Sequence, residues 1–230
     1  MPSVRAKAIW MAALAATGMV VCPSCSMKAA SGSGLVSYQA YDRPATLPDN
    51  PSAVQVKVSL SKQRAYVMEE GEMLMVMPVS VGKPDSPTPT GSFRISKKEH
   101  KHRSSTHGYA HKGKEVRKCG VENKPAGWSF KGTPMPYWCE FTQNIGFHTG
   151  WVRHSPCTSD GTIRMHENLA PKFFKMVSIG TPVNISYTQP EDLSWANIPL
   201  PPDSGPLPDH PASLYLGDAY FTHHKNPEFD

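Results

Sequence analysis

Strict alternation of apolar and polar residues begins at Val54, where Val54, Val56, Val58 and Leu60 share one face of an extended segment. A period of two marks a half-buried β-strand. Ala65 and Val67 continue the pattern in a second strand that ends in a Glu70-Gly71 turn, and residues 74–81 predict a third. Past Gly82 the chain runs through Pro84, Pro87, Pro89 and Gly91 before strand character returns over residues 93–95. Residues 137–141 and 145–147 predict two strands about a turn at Asn144, and Gly180-Thr181-Pro182 opens a last strand over 183–187. Short strands separated by regular turn signals predict a mainly β domain.

Helical spacing is convincing in one place. Leu169, Phe173, Phe174 and Val177 predict a helix over residues 167–177, with Asn168 as its cap and Pro171 in its first turn. Residues 99–134 show neither period and scatter Gly108, Gly113, Gly120, Gly127 and Gly132, which predicts a long functional loop or insertion. Beyond Thr188 the pattern gives way to Pro, Asp and Ser, so residues 189–230 predict an extended or disordered tail. Within it, Leu214, Tyr215, Leu216, Tyr220 and Phe221 are the side chains suited to dock on the domain as a short terminal element.

At the opposite end, Arg5 and Lys7 precede an uncharged apolar stretch from Ala8 to Val21 that is too short to span a bilayer comfortably. Residues 1–25 therefore predict an export signal peptide. Cys25, preceded by the small Ser24, fits a lipoprotein-type acylation site better than Cys22. Neither cysteine has a leucine three residues upstream, which leaves ordinary cleavage as the competing route. Either route puts the mature chain outside the cytoplasm, in the periplasm or lipid-anchored in the cell envelope. Residues 26–53, small and polar with Pro44 and Pro48, predict a linker, and 54–188 the folded domain.

The 230 residues carry a formal charge of +5. Much of it lies in residues 97–118, with eight Lys or Arg against Glu99 and Glu115. Export argues against nucleic acid as the partner of that run; a solvated basic face, or contact with anionic wall polymer or lipid head groups, is left. Once the signal is removed, Cys119, Cys139 and Cys157 remain, an odd number in an oxidising compartment. The expectation is a Cys119–Cys139 disulfide with Cys157 left over. His107 and His111 have a ligand-like interval, but Gly108 between them and the lack of Cys-x-x-Cys after the signal argue against zinc. His223-His224 reads as solvated tail, and neither metal nor cofactor is expected.

Five segments, taken in order, carry a resemblance. They are Val58-Ser59-Leu60-Ser61-Lys62-Gln63-Arg64-Ala65-Tyr66-Val67; Pro78-Val79-Ser80-Val81-Gly82-Lys83 with Thr88-Pro89-Thr90-Gly91-Ser92-Phe93; Met135-Pro136-Tyr137 leading to Gly146-Phe147-His148-Thr149-Gly150; Ser159-Asp160-Gly161-Thr162-Ile163-Arg164-Met165; and Gly180-Thr181-Pro182-Val183. Each is weak alone, since context is what confirms a motif. Together they resemble the L,D-transpeptidase (YkuD-like) catalytic domain, and His102-Arg103-Ser104-Ser105 resembles a subgroup with an insertion there. The resemblance implies an L,D-transpeptidase-like β-sandwich with one principal helix, a long inserted loop and a catalytic loop at one edge. It also implies a cell-wall transferase acting on peptidoglycan stem peptides.

Members of that family attack a stem-peptide carbonyl with a cysteine thiolate, form an acyl-enzyme and pass the acyl group to an amine of a second stem. A thiolate suits this step because even a small ionised fraction is strongly nucleophilic. Here Ser159-Asp160-Gly161-Thr162 stands where the family has Ser-His-Gly-Cys, so the thiol and the histidine before it are both replaced. His148, Ser159 and Gly161 are retained as catalytic positions, and Arg164 and Tyr137 as substrate-side positions. Three readings follow. The protein binds peptidoglycan without acyl transfer; or Thr162 is activated by His148, with Asp160 holding the imidazole; or Cys157, on the loop between His148 and Thr162, is a displaced nucleophile.

Overall fold

The computed structural model describes residues 34–152, 159–195, 197–202, 211–222 and 226–230. The export signal, His154, Cys157 and His223-His224 lie outside the described residues. A short helix α1 (Gly34–Gln39) precedes the strands. Strand β1 (Val54–Ser59) buries Val54, Val56 and Val58, as the alternation requires. It pairs with β2 (Arg64–Glu69), and β2 with β3 (Glu72–Ser80), both antiparallel. Glu70 and Gly71 join β2 to β3 with φ of 49° and 95°, the left-handed pair that a two-residue hairpin needs.

After β4 (Gly91–Arg94) the segment expected to be a loop is instead three strands, β5 (Lys97–Lys112), β6 (Glu115–Gly120) and β7 (Ser129–Thr142). The expectation failed for a physical reason. β5 is bonded along one edge by β7 and, over residues 107–112, along the other by β6, while much of its side-chain surface stays partly open, so backbone pairing holds it without apolar alternation. β8 (Ile145–Thr149), β9 (Ile163–Met165), helix α2 (Ala170–Met176) and β10 (Pro182–Ser186) follow, and helix α3 (Ala212–Leu216) lies near the C-terminus. α2 is shorter than residues 167–177, and Asn168 does not cap it. The Asn168 amide instead donates to the Gln39 and Tyr41 carbonyls, at 2.9 and 2.8 Å.

The strand order is β4-β10-β1-β2-β3-β9-β8-β7-β5-β6 in one ten-stranded mixed sheet. β4 and β5 stand near opposite ends of that order, yet only Ile95 and Ser96 separate them in the chain. So short a link spans about 10 Å, so the sheet must curl until its ends meet. The seam is visible: Ile95 N donates to Thr181 O at 2.9 Å, and Ser96 N to Glu140 O at 2.8 Å. Curled this way, the sheet encloses a core shared by Val56, Met77, Phe147, Met165 and Ile185, covered by α2 with Phe173 on Phe147 at 4.7 Å. Each such side chain, fully buried, stabilises by roughly 1.5–3 kcal/mol. The mainly β, sandwich-like expectation is borne out.

The described ends lie against this body. In the segment expected to be a tether, Tyr38, Tyr41 and Ala45 are buried, and His166 Nε2 meets the Tyr38 carbonyl at 2.8 Å. Asp192, in the segment expected to be a tail, is buried and accepts hydrogen bonds from Ser59 Oγ at 2.9 Å and Tyr66 OH at 2.6 Å. Tyr215, Tyr220 and Phe221 are buried, and Tyr215 stacks on Tyr109 of β5. The Cys119–Cys139 disulfide is not formed; both thiols are free. Cys119 lies opposite Gly108 of β5 and Cys139 opposite Lys98. Ten residues of strand, about 30 Å, lie between those positions. His107 and His111, four residues apart on β5, are about 13 Å apart by the same rise and too distant to share an ion.

Candidate active site

Two parallel strands set the geometry of the site. β8 and β9 pair with His148 opposite Arg164, so the histidine near the end of β8 lies beside the turn that enters β9. The Thr-Pro-Thr-Gly motif pins that turn from behind: Gly82 N donates to Thr88 Oγ1 at 2.9 Å, and Thr88 Oγ1 donates to Gly161 O at 3.0 Å. Ser159 is fixed through its backbone, with its N donating to Val81 O at 3.3 Å and its O accepting from Lys83 N at 2.9 Å. Gly161 has φ 89°, a conformation that strains any side chain. So held, Thr162 Oγ1 lies 3.0 Å from His148 Nε2 and 2.6 Å from Ser159 Oγ.

The protons in this chain follow from the acceptors. His148 Nδ1 is 2.7 Å from the Thr149 carbonyl, which only accepts, so Nδ1 carries a hydrogen. Burial, followed by the Arg164 charge, holds the imidazole down to about 3, so it is neutral and Nε2 is bare. Thr162 donates its one proton to Nε2, and Ser159 donates to Thr162. The arrangement has the outline of a nucleophile and base, with the Thr149 carbonyl as orienting group. As a base it is weak, because an imidazole titrating so far below neutrality draws little on an aliphatic alcohol.

Asp160 does not orient His148. Its carboxylate pairs with Lys83 at 2.8 Å, and that hydrogen bond is the main reason its carboxyl is held below the usual range. Arg164 and Asp160 line a cavity of about 400 Å³ whose floor includes His148 and Thr162, a volume within the span of sites that hold small ligands. Tyr137, expected beside substrate, packs its ring against His100 at 4.6 Å and Phe174 at 5.6 Å. Its φ of 58° interrupts the strand's two-residue period, so Met135 and Trp138 line the cavity instead. His148, Ser159 and Thr162 are thus brought together, Gly161 shapes their turn, Asp160 and Arg164 line the cavity, and Cys157 is outside the described residues.

Other wall residues were missed in the sequence. His102 stacks on Trp138 at 4.4 Å and meets Glu99 Oε2 through Nδ1 at 2.6 Å. Lys97 and His102 hold the Glu99 carboxyl below its ordinary range, so it is an acceptor and fixes the ring. The resemblance of residues 102–105 to a subgroup was the available signal. Among the described residues no group of three or more His, Cys, Asp or Glu is placed to hold a metal ion, and no helix is long and apolar enough to cross a membrane.

The model of the L,D-transpeptidase catalytic domain (YkuD) matches residues 53–185. That is more than half of the chain, and the protein belongs to this family. Among solved structures, an L,D-transpeptidase from Stackebrandtia nassauensis is similar at 20% identity, covering 70% of this chain and 69% of that one, with TM-score 0.45. One from Mycobacterium smegmatis matches at 22% identity over 58% of each chain, with TM-score 0.45. An Enterococcus faecium L,D-transpeptidase mutant matches at 21% identity over 58% of this chain and 50% of that one, with TM-score 0.43. The chain thus spans from half to just over two thirds of these proteins. No curated protein matches it. The family is one of cell-envelope enzymes acting on peptidoglycan stem peptides.

Proposed function

We propose that this protein binds peptidoglycan stem peptides in the cavity over Thr162 and does not transfer their acyl groups. The observation that carries this reading is the hydrogen-bond chain from Ser159 through Thr162 to His148, in which a hydroxyl faces a histidine held at about 3. A thiol is ionised to a small extent near neutrality even without a strong base, and that fraction is strongly nucleophilic, whereas an internal threonine needs a strong base or the N-terminal amine that other threonine nucleophiles use. The pinned turn and the cavity support retention of binding after loss of chemistry. The sequence further supports export, with lipid anchoring at Cys25 or cleavage into the periplasm as alternative routes.

The test is intact-mass spectrometry of the purified mature protein after incubation with tetrapeptide muropeptides, together with sedimentation with cell-wall sacculi. The expected result is co-sedimentation with neither adduct nor transfer product. A second reading, Thr162 as an alcohol nucleophile served by His148, is favoured by their 3.0 Å contact. An adduct on Thr162 establishes that second reading against the first; an adduct on Cys157 establishes the displaced thiol.

A further inference from the structure

The wall of the cavity facing β5 and β7 is completed by residues far away in sequence. Tyr215 and Tyr220 line the cavity together with residues 104–107 of β5. Those four residues stand opposite the single Thr133, because the β5–β7 register slips between Arg103 and Gly108. The bulge requires glycine on the facing strand: a Cβ on Gly132 would lie 1.9 Å from Ser104 O. Arg103, at the start of the bulge, grips the C-terminal segment. Its Nη1 donates to Tyr215 O and to Gly132 O, each at 2.9 Å, and its Nη2 donates to Gly217 O at 2.7 Å and to Asp218 Oδ1 at 3.0 Å. Its guanidinium also lies over the Phe221 ring at 5.0 Å. One side chain thus ties bulge and terminal segment together. Lysine, with a single ammonium, has no fork with which to span these carbonyls.

We propose that the C-terminal segment 211–222 is a specificity-determining wall of the ligand cavity, and that Arg103 is the positioning residue that seats it. The reading rests on the stem-peptide function proposed above. Four contacts from one guanidinium to the segment, with a fifth to Gly132 O of β7, exceed what is needed to fasten a stray terminus. The four fall on residues 215–221, around Tyr215 and Tyr220, the two residues of the segment that line the cavity. Arg103 acts through the segment, and the segment acts on the ligand. A bound stem peptide therefore contacts residues contributed by both the β5 bulge and the chain's end.

The experiment is amide exchange and calorimetric binding on the full mature chain with a purified stem tetrapeptide, in wild type, Arg103→Lys, Arg103→Ala and Tyr215→Ala. The account expects the peptide to slow exchange over residues 211–222 in wild type, a response that a purely structural anchor would not give. Arg103→Ala should weaken binding at least tenfold while exchange in β1, β2 and β3 stays as in wild type, with Arg103→Lys between the two. Tyr215→Ala, with Arg103 intact, should weaken binding without freeing the segment. Peptide binding that leaves exchange over 211–222 unchanged, or equal affinity in Arg103→Ala and wild type, overturns the wall. Failure of wild type to bind any stem peptide overturns the proposed function itself, and the wall with it.

Discussion

The enclosed core and the β5–β7 ribbon are built by opposite rules. In the core, Val56, Met77, Phe147 and Phe173 are fully buried and each strand there is specified by which residues must leave water. In the ribbon, β5 carries Lys97, Lys98, His100, Lys101 and His102, and its place is fixed by backbone ladders, a bulge and Arg103. The core therefore tolerates little and does no chemistry, whereas β5 of the ribbon is marginal in burial and carries one wall of the cavity. The Thr162 turn joins the two, anchored behind to Val81 and Lys83 just past β3 and to Thr88, and open to the ribbon in front.

The largest expected effect lies in the core. Phe147→Ala should cost about 3–5 kcal/mol by urea unfolding, since it empties a site packed by Phe141 and Phe173. A cost no larger than that of Tyr109→Phe on β5 would erase the contrast between the regions. Next is Asp192→Ala, which strips acceptors from buried Ser59 and Tyr66; a loss of roughly 2–4 kcal/mol is expected. A loss near zero would mean that residues 189–192 are not part of the folded unit.

Acid sensitivity spans both regions. His148 and His166 are held at about 3 and about 4, burial being the main cause in each. His166 has both nitrogens committed, Nε2 to Tyr38 O and Nδ1 to Asn168 N. Unfolded histidines titrate near about 6.5, so below that pH the unfolded state binds more protons. Stability should be full above about pH 6.5 and fall as pH drops toward 3, by up to about 1.4 kcal/mol per pH unit for each histidine. Urea midpoints between pH 7 and 4 measure the slope, and His166→Gln should flatten it; an unchanged slope refutes the assignment. The smallest effect is at the site. Thr162→Ala should shift stability by about 1 kcal/mol or less, because Ser159 and His148 can be rehydrated from the cavity. A shift of several kcal/mol would mark the site as core.

The same contrast explains what could be read from the sequence. The alternation at Val54, the Glu70-Gly71 turn and the order of the motifs gave the scaffold, because apolar burial leaves a periodic trace. In the ribbon only residues 137–141 of β7 left one, since β5 and β6 expose polar residues on much of their surface. Tyr137 was assigned to the substrate side because its motif was visible and its positive φ was not. Docking of residues 34–50 was hidden because Asn168 and His166 bind backbone carbonyls there, which any residue supplies. His148, Ser159 and Thr162 were legible as a group, while the lysine partner of Asp160 was not.

The most direct measurement is the intact mass of wild type and Thr162→Cys after exposure to a carbapenem, with the modified residue mapped by peptide digestion. A thiol at that position has the nucleophilicity that the hydroxyl lacks. The account predicts no adduct on wild type and one carbapenem per chain on Cys at position 162 of the variant. An adduct on Thr162 in wild type, or none on the variant while it still folds, would contradict it.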